Sequence, residues 1–222
     1  MPSMRSLGSG RGRWLRAGLT LALLTAACAP TPARPAARTR PAAYVPGPVF
    51  SSGTPLERFL PLVDGHRYVY EFETSDGKHG LLPVLHRRSD ERHGAWEIAG
   101  GGNEFEYAAD GVLTFGAAGA THLLKLPTVP GARWPGNHLS MIEVRRTDVT
   151  LTVPAGTFSG CVETHETRGG DAPLDVVAAF CPEVGMVERT VATGGKRERL
   201  VLKSYGPPVD VGPDGVRVIK GE

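Results

Sequence analysis

Val187-Glu188-Arg189-Thr190-Val191-Ala192-Thr193-Gly194-Gly195-Lys196-Arg197-Glu198-Arg199-Leu200-Val201-Leu202 reads as a β-hairpin. Gly194-Gly195 supplies a two-residue turn, because positive φ costs glycine little. With that turn Val187 faces Leu202, and Val191 shares their side with Leu200. Glu188 and Arg199 fall on the opposite, wet face as diagonal neighbours of opposite charge. Pattern, turn chemistry and charge agree, and together they set the reading of the rest of the chain.

Outward from this hairpin the same period of two recurs. Tyr68, Tyr70 and Phe72 alternate with Val69, Glu71 and Glu73; Trp96 and Ile98 flank Glu97. Phe105 and Tyr107 alternate with Glu104 and Glu106, and Val149, Leu151 and Val153 with Asp148, Thr150 and Thr152. Turn signals fall between the runs at Ser75-Asp76-Gly77, Asp110-Gly111 and Gly116 to Gly119, while Gly100-Gly101-Gly102-Asn103 reads as a loop. The 222 residues include 29 Gly and 19 Pro, a share nearly twice the usual one that argues against a helical bundle. Residues 56–206 are therefore expected to form an all-β, mainly antiparallel domain of nine to eleven strands: a single curved sheet, a half-barrel or a sandwich. A helical turn is expected near Pro55 to Leu60, with Thr54 as its cap.

The N-terminus reads as an address. Arg5, Arg11, Arg13 and Arg16 precede an uncharged, mostly apolar run from Ala17 to Ala27, with the length of a signal-peptide core. Leu24-Thr25-Ala26-Ala27-Cys28 resembles the bacterial lipobox, in which the Cys thiol receives a lipid before cleavage. Residues 1–27 would be the signal peptide and Cys28 the lipidated first residue of the mature chain. Its loss removes four of 25 basic residues and no acidic one, leaving 21 against 23, so the precursor's basic pI is no argument for nucleic acid. Residues 28–55 hold seven Pro and no acid, and are expected to form an extended, disordered tether. Residues 207–222 form a Pro/Gly-punctuated extension, partly ordered, whose Val216 and Val218 could add a short edge strand or simply fray. Export, lipid anchoring to the membrane through Cys28 and, with Ala29 next to it, residence at the outer membrane are the resulting expectations, with the domain in the periplasm or at the cell surface.

After Cys28, two cysteines remain. A hairpin with the five-residue loop Gly169 to Pro173 sets Cys161 opposite Cys181, near the reach of a disulfide that an oxidising periplasm would close.

A short echo links Pro61-Leu62-Val63-Asp64-Gly65-His66-Arg67-Tyr68 with Pro127-Thr128-Val129-Pro130-Gly131-Ala132-Arg133-Trp134. Each is a Pro/Gly turn feeding a strand whose aromatic enters the core; two matching lips of a cleft is the other reading. Pro61-Leu62-Val63-x-Gly65-x-x-Tyr68, Val153-Pro154-Ala155-Gly156-Thr157-Phe158 and Cys181-Pro182-x-Val184-Gly185-Met186-Val187 occur in order. In these motifs the chain resembles a broad group of uncharacterised bacterial envelope lipoproteins, over residues 58–206. Tyr68 stands where the group has Trp, and Glu183 where it has Gly. The resemblance implies an all-β periplasmic domain with a strongly curved sheet, and no activity.

Chemistry is sparse. His66, His79, His86, His93, His122, His138 and His165 are scattered without a metal-ligand spacing, and no nucleophile elbow, phosphate loop or dinucleotide fingerprint occurs. No catalytic residue, metal or cofactor is assigned. Three functions follow. The first is a non-catalytic structural or protein-interaction module of the envelope with a protein partner. The second is a carrier of an apolar ligand such as a lipid, in a concave sheet lined by Tyr68, Tyr70, Trp96, Phe105, Tyr107 and Trp134, residues that equally suit a core. The third is an enzyme with dispersed site residues. A sheet of this size with no helix to cover it must close on itself or leave a groove open.

Overall fold

The computed structural model describes residues 50–99, 101–116, 119–212 and 215–218. The signal-peptide, Cys28 and most tether assignments fall on residues 1–49, outside the described ones.

Twelve antiparallel strands follow one another in a meander: β1 (Arg67–Thr74), β2 (His79–Arg88), β3 (His93–Ile98), β4 (Gly101–Ala108), β5 (Gly111–Gly116), β6 (Gly119–Lys125), β7 (Arg133–Pro135), β8 (Met141–Val153), β9 (Gly156–Arg168), β10 (Leu174–Cys181), β11 (Gly185–Thr193) and β12 (Lys196–Gly206). The order in the sheet is β6-β5-β4-β3-β2-β1-β12-β11-β10-β9-β8-β7. The first strand thus pairs with the last, and the two edges are β6 and β7. The sheet rolls up until these edges approach, a nearly closed barrel. Along the β6–β7 seam the Trp134 indole N–H donates to the His122 carbonyl at 3.0 Å. The all-β curved sheet is as expected, with one strand more than the upper count. β7 has three residues, too few to show alternation.

The hairpin that opened the reading has the predicted register: Thr193 pairs with Lys196 and Val191 with Glu198. The Arg199 Nε donates to Glu188 Oε1 at 2.8 Å on the outer face. Gly169-Gly170-Asp171-Ala172-Pro173 closes the β9–β10 hairpin in the predicted register, from Leu174↔Arg168 to Phe180↔Val162. Cys161 and Cys181 form a disulfide with their Cα atoms 4.1 Å apart.

The echo marks equivalent strand entries. The Gly65 N–H donates to the His86 carbonyl and the His86 N–H to the His66 carbonyl; Gly131, Val144 and Ala132 repeat the pair. Both glycines have positive φ, 77° and 86°. One entry starts β1 and the other β7, so the barrel divides into two six-stranded halves.

A helical turn forms where expected, and two local expectations are corrected, its Thr54 cap and the glycine loop. The helical turn is a 3-10 turn, Glu57–Phe59, and no side chain caps it. The Thr54 hydroxyl instead meets Ser52 Oγ at 2.9 Å. Gly101, Gly102 and Asn103 are strand, paired with Ile98, Glu97 and Trp96. A Cβ at Gly102 would lie 2.5 Å from the Trp96 carbonyl, so the glycine answers close backbone approach rather than a loop. β13 (Val209–Gly212) and β14 (Gly215–Val218) pair with each other, apart from the main sheet.

Candidate functional site

Alternation along every strand sends one face of the sheet into the lumen. At one end the lumen is filled from within by the segment before β1. Leu56, Phe59, Leu60 and Leu62 are buried there in one core cluster with Tyr68, Tyr70, Tyr107 and Val187. The Tyr107 hydroxyl donates to the Leu60 carbonyl and accepts from the Leu62 N–H at 3.2 Å. The Tyr70 hydroxyl donates to the Met186 carbonyl at 2.9 Å. Glu57 and Arg88 lock this plug: their ion pair is 3.0 Å long, and the Arg88 side chain is 1% exposed. The Arg88 guanidinium also lies 4.0 Å from the centre of the Tyr107 ring. Glu57 accepts in addition from the Ser52 N–H and hydroxyl, both at 2.7 Å. Ser52 lies in the stretch read as tether, and here it is tied to the barrel.

The Val-Pro-Ala-Gly-Thr-Phe motif is the turn of the long β8–β9 hairpin. It reaches over to β12, where the Ala155 N–H donates to the Leu202 carbonyl at 3.0 Å. Phe158 meets the Tyr205 ring edge-on.

The other end of the lumen stays open as a cavity of about 210 Å³. Its walls come from both halves of the barrel: Trp96 and Phe105 from β3 and β4, Ile142 from β8, Phe180 from β10 and Met186 from β11. Trp96 meets Phe105 edge-on with ring centres 4.9 Å apart. Trp96 is 9% exposed, and its indole N–H has no hydrogen-bond partner among the described residues. Asn137 Oδ1 is equally buried and unpartnered. A buried polar atom left unpaired costs roughly 1–3 kcal/mol, and both residues contribute to the wall of this cavity.

Charge enters the same cavity. Arg189, opposite Ala178 on β10 and Leu200 on β12, is an exposed residue that contributes to the cavity's lining and forms no ion pair among the described residues. The barrel wall lowers its pKa by desolvation, and Glu166 and Glu198 oppose that shift. The guanidinium nonetheless remains in reach of water through the mouth. Glu166 lines the cavity beside the Ser140 hydroxyl, which bonds it and the Asn137 carbonyl.

The structure thus sorts the six aromatics. Trp96 and Phe105 line the cavity; Tyr68, Tyr70, Tyr107 and Trp134 are buried elsewhere in the core. Arg189, Glu166 and Asn137 escaped the sequence reading. A signal existed for Arg189, since it lies two residues from both Val187 and Val191 and shares their face. Beside the aromatics, the His86 ring stacks on Tyr68 with centroids 3.8 Å apart and is directly paired with Trp96 across β2 and β3. Neither of its ring nitrogens has a partner. Burial, aided by His66, depresses its pKa to about 3; the Pro61 carbonyl opposes the shift but falls short of hydrogen-bond geometry.

A larger depression of about 630 Å³ lies over β1, β2 and β12. It is open, and Glu71 and Lys203, both on its wall, form an ion pair with each other. Among the described residues no group of three His, Cys, Asp or Glu side chains could hold a metal ion, and no helix is long and apolar enough to cross a membrane.

No protein-family model matches the chain, and no curated protein matches it. Among solved structures it is similar to a "putative exported protein with YmcC-like fold" from Bacteroides fragilis, at 13% identity and a TM-score of 0.42, over 64% of this chain and 96% of that one. It is also similar to a "putative lipoprotein" from Parabacteroides distasonis, at 12% identity and a TM-score of 0.44, over 67% of this chain and 98% of that one.

Proposed function

We propose that the chain is an exported lipoprotein of the cell envelope, anchored through a lipid on Cys28, whose barrel is a non-catalytic binding module for a small ligand. The basic leader, its apolar run and the small residues before Cys28 support the anchor. The observation that carries the binding role is the open end of the lumen. There an apolar wall of Phe105, Ile142 and Phe180 stands beside Arg189 and Glu166, two charged side chains that no ion pair joins. A domain built only to fill space would close such a cavity, because unpaired polar atoms and lost packing both destabilise it. The cavity is smaller than the roughly 300–1,000 Å³ of drug-sized pockets. A long acyl chain therefore does not fit within it, and the ligand is a small molecule rather than a whole lipid.

Two experiments test this reading. Metabolic labelling with a fatty acid should mark the wild-type protein and not Cys28→Ala; a labelled variant rejects the anchor. Native mass spectrometry of the mature protein, purified without denaturation, should show an added small mass that Phe105→Trp, which fills the lumen, removes. A bound mass indifferent to that substitution rejects the lumen as the site.

A further inference from the structure

Arg189 and Glu166 both line the lumen cavity, yet no ion pair joins them. Two opposite charges in one small cavity gain by meeting, unless the frame holds them apart. Here it does. Arg189 is fixed on β11 opposite Ala178 and Leu200, and Glu166 on β9 opposite Ile142 and Val176. Glu166 is also held by the Ser140 hydroxyl. One whole strand, β10, separates them in the sheet. The gap between the two charges opens onto the apolar wall of Phe105, Phe180 and Ile142.

We infer that the cavity takes a zwitterion with an apolar body, of the size of a single apolar α-amino acid. Resting on the binding role proposed above, this assigns each lumen group a part. The ligand carboxylate meets the Arg189 guanidinium, whose planar fork suits a carboxylate better than any other side chain does. The ligand ammonium meets Glu166, with Glu198 adding negative charge near Arg189. The apolar body lies against Phe105, Phe180 and Ile142. Size agrees: a cavity of about 210 Å³ has room for several waters, and so for a small organic molecule. A plain anion is disfavoured because it would set its charge in the same cavity as the Glu166 carboxylate with no cation there to pair that carboxylate. A plain cation is disfavoured because it would leave Arg189 unpaired.

The test is titration calorimetry on the mature lipid-anchored protein in detergent, with L-leucine and two truncated analogues as probes. The analogues are 4-methylpentanoate, which lacks the ammonium, and 3-methylbutylamine, which lacks the carboxylate. L-leucine should bind saturably, and each analogue should bind about ten-fold or more weakly, the usual cost of losing one charge-assisted contact. Arg189→Met and Glu166→Gln should each weaken L-leucine to a similar extent, with unfolding curves confirming that both variants fold. Equal binding of either analogue, or no saturable L-leucine binding, overturns the assignment. A co-purified lumen mass together with silence toward L-leucine would reject the ligand class and leave the binding role standing. Absence of both would reject both.

Discussion

The Trp134 indole reaches across from β7 and donates to the His122 carbonyl of β6 at 3.0 Å. It spans the one place where neighbouring strands of the barrel share no ladder. Elsewhere around the wall every strand is paired on both sides, so the seam is the weakest line of the barrel.

Trp134→Phe keeps the aromatic body and removes the donor. The expected loss is about 1 kcal/mol, the net value of a typical hydrogen bond, plus a small packing term. The diagnostic readout is native-state hydrogen exchange. Amides of Gly119–Lys125 and of Arg133 and Trp134 should exchange faster, while those of the β1–β12 ladder keep their relative protection. A uniform loss of protection would show that the seam is no weaker than the rest.

Glu57 and Arg88 hold the plug. Removing one partner of a buried pair leaves the other charge stranded, which costs about 3–5 kcal/mol. Glu57→Gln should approach the lower figure, because Arg88 still donates to the Asp90 and Glu91 carbonyls. Adding Arg88→Met to Glu57→Gln should recover part of the loss, since it removes the stranded charge. A double variant as unstable as the sum of the two singles would show that the pair is uncoupled. Urea unfolding of all three variants decides this.

Much of the wall was legible because strand alternation and turn chemistry are local. Gly194-Gly195 and the Gly169-to-Pro173 loop each fix a register, and the second places Cys161 against Cys181 by counting alone. The lumen was less legible because closure is not local. Nothing in Arg67–Thr74 says that it pairs with Lys196–Gly206, and that pairing joins the two six-stranded halves into the one sheet that rolls until β6 approaches β7. Once the sheet closes, the face shared by Val187, Arg189 and Val191 becomes the inside of a cavity, and Arg189 becomes a lumen charge. The same closure explains the aromatics. Tyr68, Tyr70 and Tyr107 lie at the plugged end and are covered by Leu56 to Leu62, while Trp96 lies toward the open end. Which end a strand residue faces depends on the plug, whose docking alternation does not encode.

The Cys161–Cys181 bridge closes a loop with a sequence separation of 20. In the chain-entropy account such a loop stabilises the fold by about 3 kcal/mol. Cys161→Ala/Cys181→Ala should therefore lower the urea midpoint and steepen the slope, because the unfolded chain without the bridge exposes more surface. The wild-type mature protein should show no thiol at either position before reduction. A reactive thiol at either would contradict the bridge, and an unchanged midpoint would contradict its contribution.

His86 makes stability depend on mild acid. In the folded barrel its pKa is about 3, against 6.5 for a free imidazole. Between those values the unfolded chain binds a proton that the folded chain refuses. Stability therefore falls as pH drops from 6.5 toward 3, by up to about 1.4 kcal/mol per pH unit. The lowered pKa of His66 acts with the same sign. Asp76, Asp90 and Asp110 are exposed carboxylates whose depressed pKa values act only below their ordinary 3.8, so the window from pH 6.5 to 4.5 isolates the histidines. His86→Phe keeps the stack on Tyr68 and removes the titration. Urea unfolding at pH 6.5, 5.5 and 4.5 should give a steep decline for the wild type and a shallower one, carried by His66, for the variant. Parallel declines in the two proteins would mean that His86 is not the group that refuses the proton.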